Sequence, residues 1–316
     1  MGFKLLRIAH SLSIDTFFDY AQQRPELAGE AWRVRMLGGG VSNLVLLAES
    51  ATRRWVFKQA LGRLRVAEEW LADPARIHRE AAAMRALAPL PLGGSVPAVV
   101  FEDRENFIYA MEAAPDGVED WKTRLMRGER DERVARQAAR MLAALAQRTA
   151  GGARWHQEFG DQHCFKQLRL DPYYRFTADR HPDLREAFEE AIALAQRPLG
   201  MVHGDFSPKN LLVAPGGGVT LIDFEVVHFG DPAFDAAFLL NHLLLKGART
   251  LGLVCAGELR GFETAAVIRH LGCLHLARVD GKSPAEYLTE TQRVKVRAAA
   301  RELIRHPPKT IEEIFV

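Results

Sequence analysis

The spacing of apolar positions changes period near residue 115. Before that point the runs are short and strand-like. Trp32, Val34 and Met36 alternate with Arg33 and Arg35, an apolar strand resumes over 44–47 after three glycines, and Trp55, Val56 and Phe57 form a third run. Two more runs, 97–101 and 107–111, flank the polar turn EDREN. One helical stripe interrupts them: Asp73 and Pro74 supply an N-cap and a first helical position, and Ile77, Ala81, Met84 and Leu87 recur on one face. After Met111 the sequence Glu112, Ala113, Ala114, Pro115 has no period, as expected of a hinge. Beyond it the period is helical, with an apolar face of Val134, Ala138, Met141, Leu142 and Leu145. Further helices are predicted over 184–195, from the Asp231–Pro232 cap to Leu244, over 262–276 and over 284–304, with Pro172, Tyr173 and Tyr174 in a connection. The pattern predicts an α+β protein of two lobes. Residues 1–114 form a mostly antiparallel sheet with one main helix, and 115–316 form a larger, mainly helical lobe.

A chain of 316 residues, nearly half hydrophobic, can bury two modest cores. Its 42 Lys and Arg against 40 Asp and Glu leave a formal charge of +2, so no basic excess calls for a nucleic acid partner. No apolar run approaches the roughly 18 residues of a spanning helix, and the first twenty residues lack a small-residue cleavage site after an apolar core. A cytoplasmic protein without a membrane role is the expectation. Cys164, Cys255 and Cys273 are odd in number and far apart, which indicates neither a disulfide frame nor a zinc knuckle.

Candidate chemistry concentrates in VHGDFSPKN, followed by LIDFE. The apolar runs 211–213 and 219–222 enclose APGGG and read as a hairpin. A hairpin returns to its start, so Asn210 and Asp223 should meet at its mouth with Asp205 just before it. Three oxygen-bearing side chains so placed suit phosphoryl transfer from Mg·ATP, which requires a hydroxyl to be aimed and charge to be neutralised by metal. Asp205 would accept the hydroxyl's hydrogen bond, while Asn210 and Asp223 would hold Mg²⁺, a hard ion that prefers oxygen. The plainer alternative is two polar turns flanking a buried hairpin. Asp235 falls on the apolar side of its helix and is expected to tie down the HGD backbone. His203 is expected to bond the loop backbone rather than carry protons.

In the first lobe Gly38, Gly39 and Gly40 would let backbone N–H groups approach ATP phosphates, with Ser42 and Asn43 as added donors. Lys58 ends an apolar strand, where a cation needs an anion. Glu80 lies on the inward helical stripe and is its natural partner, and the pair would hold Lys58 against the α- and β-phosphates. A surface pairing of Glu80 with Arg76 is the rival. The backbone between Glu112 and Ala114 would bind the adenine edge, although a plain linker explains that stretch nearly as well.

VHGDFSPKN, IDFE and GDPAFD together resemble the aminoglycoside phosphotransferase and choline kinase group of small-molecule kinases, from about residue 30 to the C-terminus. The resemblance implies the bilobal protein-kinase-like fold and ATP with Mg²⁺ as cofactors. It further implies a catalytic Asp205, Asn210 and Asp223 on magnesium, Lys58 on phosphates, and Glu80 paired with Lys58. HGD in place of HRD and DFE in place of DFG speak for a small-molecule acceptor. FKQALGRLRVAEEWLADPARIHREA and VIRHLGCLHLA are similar to stretches of the methylthioribose kinases within that group. This implies Trp70 and Arg269 on the substrate side and Glu225 in an Asp-x-Glu metal motif. His270 and Asn210 depart from that subgroup, which has a second arginine and usually a serine there. A pentose-type acceptor leads, with an aminoglycoside or amino alcohol (choline, homoserine) next and a nucleotide-binding pseudokinase as the reading from another class.

Overall fold

The computed structural model describes residues 11–38, 42–63 and 73–316. The chain divides into two compact units, Met1–Pro89 with Val96–Pro115, and Leu90–Ser95 with Asp116–Val316. No helix among the described residues is long and apolar enough to cross a membrane.

The first unit is built on a five-stranded antiparallel sheet. Its strands are β1 (Arg33–Met36), β2 (Asn43–Glu49), β3 (Arg54–Ala60), β4 (Val99–Asp103) and β5 (Ile108–Glu112), in the order β1-β2-β3-β5-β4. Successive side chains of a strand point to opposite faces, and β3 uses both. Phe57 packs edge-on against Phe17 of helix α1 (Ile14–Gln22), ring centroids 5.0 Å apart, in a cluster with Trp32, Leu46, Phe101 and Ile108. Lys58, the next residue, therefore faces helix α2 (Arg76–Leu87), whose Ile77, Ala81, Met84 and Leu87 are buried. The Asp73–Pro74 signal starts a turn rather than the helix. Asp73 Oδ1 accepts the Ala75 N–H at 2.9 Å, and α2 begins at Arg76 with no side-chain cap. Helix α1, not foreseen in the sequence, is closed by a capping box between Ser13 and Thr16.

The second unit opens with β6 (Glu119–Asp120), α3 (Trp121–Met126), α4 (Glu132–Thr149), α5 (Ala153–Phe159) and α6 (His163–Phe165). Residues Lys166–Arg175, expected as a connection, form a π-helix that contains Pro172. Its wider turn, without the α-helical bond register, accommodates a residue that lacks an N–H. Then follow α7 (Phe176–Arg180), α8 (Arg185–Ala195), β7 (Gly200–Val202), the hairpin β8 (Leu211–Val213) and β9 (Val219–Leu221), β10 (His228–Gly230) and α9 (Ala233–Leu245). Helices α10 (Arg249–Glu258), α11 (Thr264–Asp280) and α12 (Glu290–Arg305) complete it. The last helix starts six residues later than its apolar pattern suggested. Thr289 caps it, with a reciprocal bond from Gln292, after a turn at 284–289. β6 extends the hairpin sheet, and Ser95 joins its far edge through bonds to Val219 and Leu221.

The C-terminal Phe315 is buried over Gly252 of α10, where an added Cβ would lie 2.2 Å from the ring. Gly252→Ala should lower the thermal unfolding midpoint, because overpacking of about 1–3 kcal/mol exceeds the helix-propensity gain of about 1 kcal/mol. Gly257→Ala in the same helix, where a Cβ would meet nothing within 4 Å, should leave the midpoint unchanged or raise it. Equal effects of the two changes in a melting experiment would contradict this packing.

Candidate active site

Lys58 and Glu80 form a buried ion pair in the first unit, Nζ to Oε1 2.8 Å. β3 and α2 create it by placing a strand position and a helix position on facing surfaces, and the burial is nearly complete, 7% and 0% side-chain exposure. Arg76, the rival partner, donates instead to the carbonyls of Ser42, at 2.6 Å, and of Leu61 and Asp73, at 3.0 Å. It thus anchors the strand entry that carries Ser42 and Asn43. Both of those residues are buried, with Asn43 Nδ2 donating to Ser42 Oγ at 2.9 Å.

In the second unit the HGD turn is fixed from below by α9. Asp235 accepts the N–H groups of His203 at 2.6 Å and Gly204 at 2.9 Å. Burial pushes its carboxyl up to about 7 against those two donors. Gly204 has φ +77°, and a Cβ there would meet Val226 Cγ2 at 2.8 Å, so the turn demands glycine. His203 Nε2 donates to the Ile222 carbonyl at 3.1 Å, and Nδ1 accepts the Asp205 N–H at 3.2 Å. Burial holds the ring down at about 4, so it is neutral near pH 7 with both nitrogens engaged. A structural role follows.

The hairpin closes as its turn sequence requires. Leu211 pairs with Leu221, and the Ile222 N–H reaches the Asn210 carbonyl at 3.0 Å. Asn210 Nδ2 donates to the Asp205 carbonyl at 2.9 Å, which commits the nitrogen and presents the amide oxygen as the remaining acceptor. Asp223 follows at φ +73°, a left-handed conformation that costs a non-glycine residue about 1 kcal/mol. Its charge opposes ionisation of Asp205, and with Glu225 it acts on Arg169.

Asp205 itself is held by two cations that the sequence reading did not single out. Arg169 Nη2 and Lys209 Nζ lie 2.9 and 2.8 Å from Oδ2. Burial would raise this carboxyl and Asp223 adds to that, yet Lys209 and Arg169 prevail and hold it below the usual carboxylate range. Arg169 is fixed further by donating to the Gly204 carbonyl at 2.7 Å. Lys209 had a visible signal, four residues after Asp205 in the same motif. Arg169 had none, since it lies 36 residues upstream in the π-helix.

An amide oxygen on Asn210, which is tied to the Asp205 peptide, and a carboxylate on Asp223, whose charge acts on Asp205, fit a divalent cation in charge and ligand type. Among the described residues no cluster of three His, Cys, Asp or Glu side chains could cage a metal. Mg²⁺ does not need one, because it is commonly held by one or two carboxylates, with phosphate and water filling the remaining positions.

The other expected site residues are spread more widely. Gly38 is exposed after β1, while Gly39, Gly40 and Trp70 lie outside the described residues. Glu112 ends β5 and its N–H bonds the Ala98 carbonyl at 2.9 Å, while the Ala114 carbonyl accepts Arg54 Nη1 at 2.7 Å. Arg269 is not brought to Asp205. It pairs with Glu190 at 2.8 Å and donates to the Ile304 carbonyl at 3.2 Å. Nine residues along α11, about half a turn away in azimuth at 3.6 residues per turn, Arg278 takes the opposite face and meets Tyr173 Oη at 3.3 Å.

The architecture is that of the protein-kinase-like phosphotransferases. It is shared with the streptomycin–ATP ternary complex of APH(2'')-IIa (TM-score 0.54, 16% identity, 97% of this chain and 99% of that one). It is shared also with a choline/ethanolamine kinase family protein from Mesorhizobium loti (0.58, 18%, 95% and 97%) and macrolide 2'-phosphotransferase MphH from Brachybacterium faecium (0.56, 20%, 93% and 99%). A family model, the phosphotransferase enzyme family (APH), matches residues 33–267, and the chain belongs to that family. It is 27% identical over 271 residues to the methylthioribose kinase of Escherichia coli O45:K1 (strain S88 / ExPEC), covering 74% of this chain and 64% of that relative. The chain thus spans less than two thirds of that relative's length.

Two outcomes test the roles of these contacts. Lys58→Met and Glu80→Gln should be strongly non-additive in turnover, because either change disables one unit and leaves a buried charge unmatched. A double-mutant cycle with folding checked by circular dichroism measures this, and effects that multiply would separate the two residues. Asp235→Asn should destabilise by roughly 1–3 kcal/mol, since an amide cannot accept both N–H groups as a carboxylate does. Denaturant unfolding that matches the parent protein would show that the clamp carries no weight.

Proposed function

We propose that the chain transfers the γ-phosphoryl group of Mg·ATP to a hydroxyl of a small polar molecule. The observation that carries this reading is the convergence of Asp205, Asn210 and Asp223 at the base of one hairpin, on a loop pinned by Asp235. In the reaction the acceptor oxygen bonds to γ-phosphorus, the bond from that phosphorus to the β,γ-bridging oxygen breaks, and ADP departs. Asp205 accepts the hydrogen bond of the hydroxyl and aims its oxygen. Asn210 and Asp223, with Glu225 as a further ligand, would hold Mg²⁺, which would supply charge neutralisation on the phosphates. Lys58, oriented by Glu80, binds the α- and β-phosphates, with Ser42 and Asn43 as added donors. The backbone between Glu112 and Ala114 would bind the adenine edge, with the Ala114 carbonyl already accepting one bond from Arg54.

For the acceptor, a methylthioribose-like pentose is the leading candidate, supported by the sequence likeness to a methylthioribose kinase. The cations around Asp205 disfavour an aminoglycoside or an amino alcohol, whose own positive charge they would repel. The buried Lys58–Glu80 pair and the ionised Asp205 weigh against a pseudokinase, because a nucleotide binder needs no hydroxyl-orienting carboxylate.

Asp223→Asn should weaken magnesium-dependent ATP binding. Asp205→Asn should leave that binding nearly intact and reduce turnover by roughly 100-fold or more. Titration calorimetry with and without magnesium, paired with ADP release, separates the two roles. Equal loss of nucleotide affinity in both variants would contradict the assignment.

A further inference from the structure

Four cations act on one imidazole, that of His242 in α9. Lys246, at the end of α9, places Nζ 3.3 Å from His242 Nδ1 and 3.1 Å from Tyr287 Oη, with its charge 4.8 Å from the Tyr287 ring centroid. Lys122 of α3 approaches the same ring at 5.8 Å and pairs with the exposed Glu286 at 2.8 Å. Arg278 of α11 donates to Tyr173 Oη and to both oxygens of Ser283, and its Nε is buried with no hydrogen-bond partner among the described residues. Lys209 is the fourth. Burial first, then the charges of Lys246, Arg278, Lys209 and Lys122, drive His242 well below its ordinary value.

These charges are poorly matched. Lys246 bonds only uncharged groups, the His242 ring and carbonyl and the Tyr287 hydroxyl. Arg278 likewise bonds Tyr173 and Ser283, and neither cation has a carboxylate partner among the described residues. Among the described residues Glu286 is the one carboxylate that acts on Lys246, and it is already paired with Lys122. Like charges brought together in a partly buried place repel strongly, and an anion removes that cost. Lys246 registers it: burial, Arg278 and Lys122 pull its ammonium down to about 7.

The cluster is linked to Asp205 in two ways. Lys209 pairs with Asp205, and its charge also acts on His242. Arg169, the other cation on Asp205, lies over the Tyr173 ring at 5.8 Å, and Tyr173 Oη meets Arg278. We propose that Arg278, Lys246 and Lys122 form the acceptor subsite and that the acceptor is a sugar-like compound which, unlike neutral methylthioribose itself, carries an oxyanion, carboxylate or phosphate, in addition to the hydroxyl that is phosphorylated. The inference rests on the phosphotransferase reading above. Arg278, whose Nη1 is taken by Tyr173 and Ser283, has its Nε left for an anion oxygen, Lys246 and Lys122 add point charges, and Tyr287 walls the apolar side.

The test is a panel of matched acceptors assayed by ADP release with Mg·ATP: ribose against ribose 5-phosphate, glucose against gluconate, and choline and kanamycin as cations. The anionic member of at least one pair should exceed its neutral counterpart about tenfold or more in kcat/KM, and Arg278→Gln and Lys246→Gln should each raise its KM about tenfold while that of ATP stays within about twofold. Lys246→Arg should restore most of the loss. The KM of the anionic acceptor should also rise as pH passes upward through about 7, where Lys246 loses its proton. A binding readout accompanies the panel. ¹³C-methylated Lys246, followed by NMR with sulfate as probe, should titrate at higher pH than without it, since an anion favours the charged form. Neutral or cationic acceptors turned over best, or a Lys246 titration indifferent to sulfate, would overturn the anion subsite and leave the kinase intact. Absence of magnesium-dependent ATP binding would instead overturn the kinase reading.

Discussion

The constraint on which the rest depends is the buried carboxylate of Asp205. A carboxyl at 3% exposure would ordinarily keep its proton, and a protonated acid cannot accept a hydrogen bond from a hydroxyl in the same way. Arg169 and Lys209 both reach Oδ2 and keep the group ionised. Its low basicity is no handicap for the proposed reaction, because a loose transition state requires a hydroxyl to be aimed long before its proton must leave. The ion triad in turn needs its frame. Asp235 fixes the peptide units before Asp205, and the π-helix delivers Arg169 to both the carboxylate and the Gly204 carbonyl.

The first unit solves a related problem by strand alternation. β3 buries Phe57 against α1 and, one residue later, Lys58 against Glu80 of α2. The sheet therefore has an apolar face that stabilises the unit and a face that holds one cation in a single place. A buried pair of this kind contributes little net stability, since desolvation opposes the Coulomb gain, and its value lies in orientation. Helix α1 makes this arrangement possible by covering the apolar face.

Much of this was legible in the sequence wherever chemistry is local. The hairpin at 211–221, the Lys58 and Glu80 positions and the Asp235 clamp follow from period, turn residues and motif spacing. The fold class and family follow from the motifs, and the family match agrees. What escaped notice depends on contacts distant in sequence. Arg169 lies in a segment whose proline and tyrosines suggested a connection, and nothing local marks a π-helix that tolerates Pro172. Arg269 is expected on the substrate side only from the likeness of its helix to that of the methylthioribose kinases, and an arginine's partners across a helix face are not visible in sequence. In the structure the α11 face that meets Tyr173 carries Arg278, and Arg269 is spent on Glu190. Helix starts moved for a similar reason: Asp73 caps a turn, and Thr289, unremarked in the apolar pattern, caps α12.

The charges of the second unit are ordered rather than balanced in place. Asp205 and Asp223 repel each other at the base of the hairpin, which suits a divalent cation and the phosphates it carries. On the other flank Lys209, Lys246, Arg278 and Lys122 repel one another around His242. Lys209 belongs to both groups, paired with Asp205 and acting through its charge on the imidazole. Each group is unfavourable alone and each is relieved by a ligand of opposite charge. On the proposed assignment, Mg·ATP and an anionic acceptor remove both costs together, and the binding energy so released is available to orient the hydroxyl at Asp205. A cationic acceptor would not relieve the second group. It would be repelled by Lys246, Arg278 and Lys122, so the same arrangement that favours one acceptor charge disfavours the other.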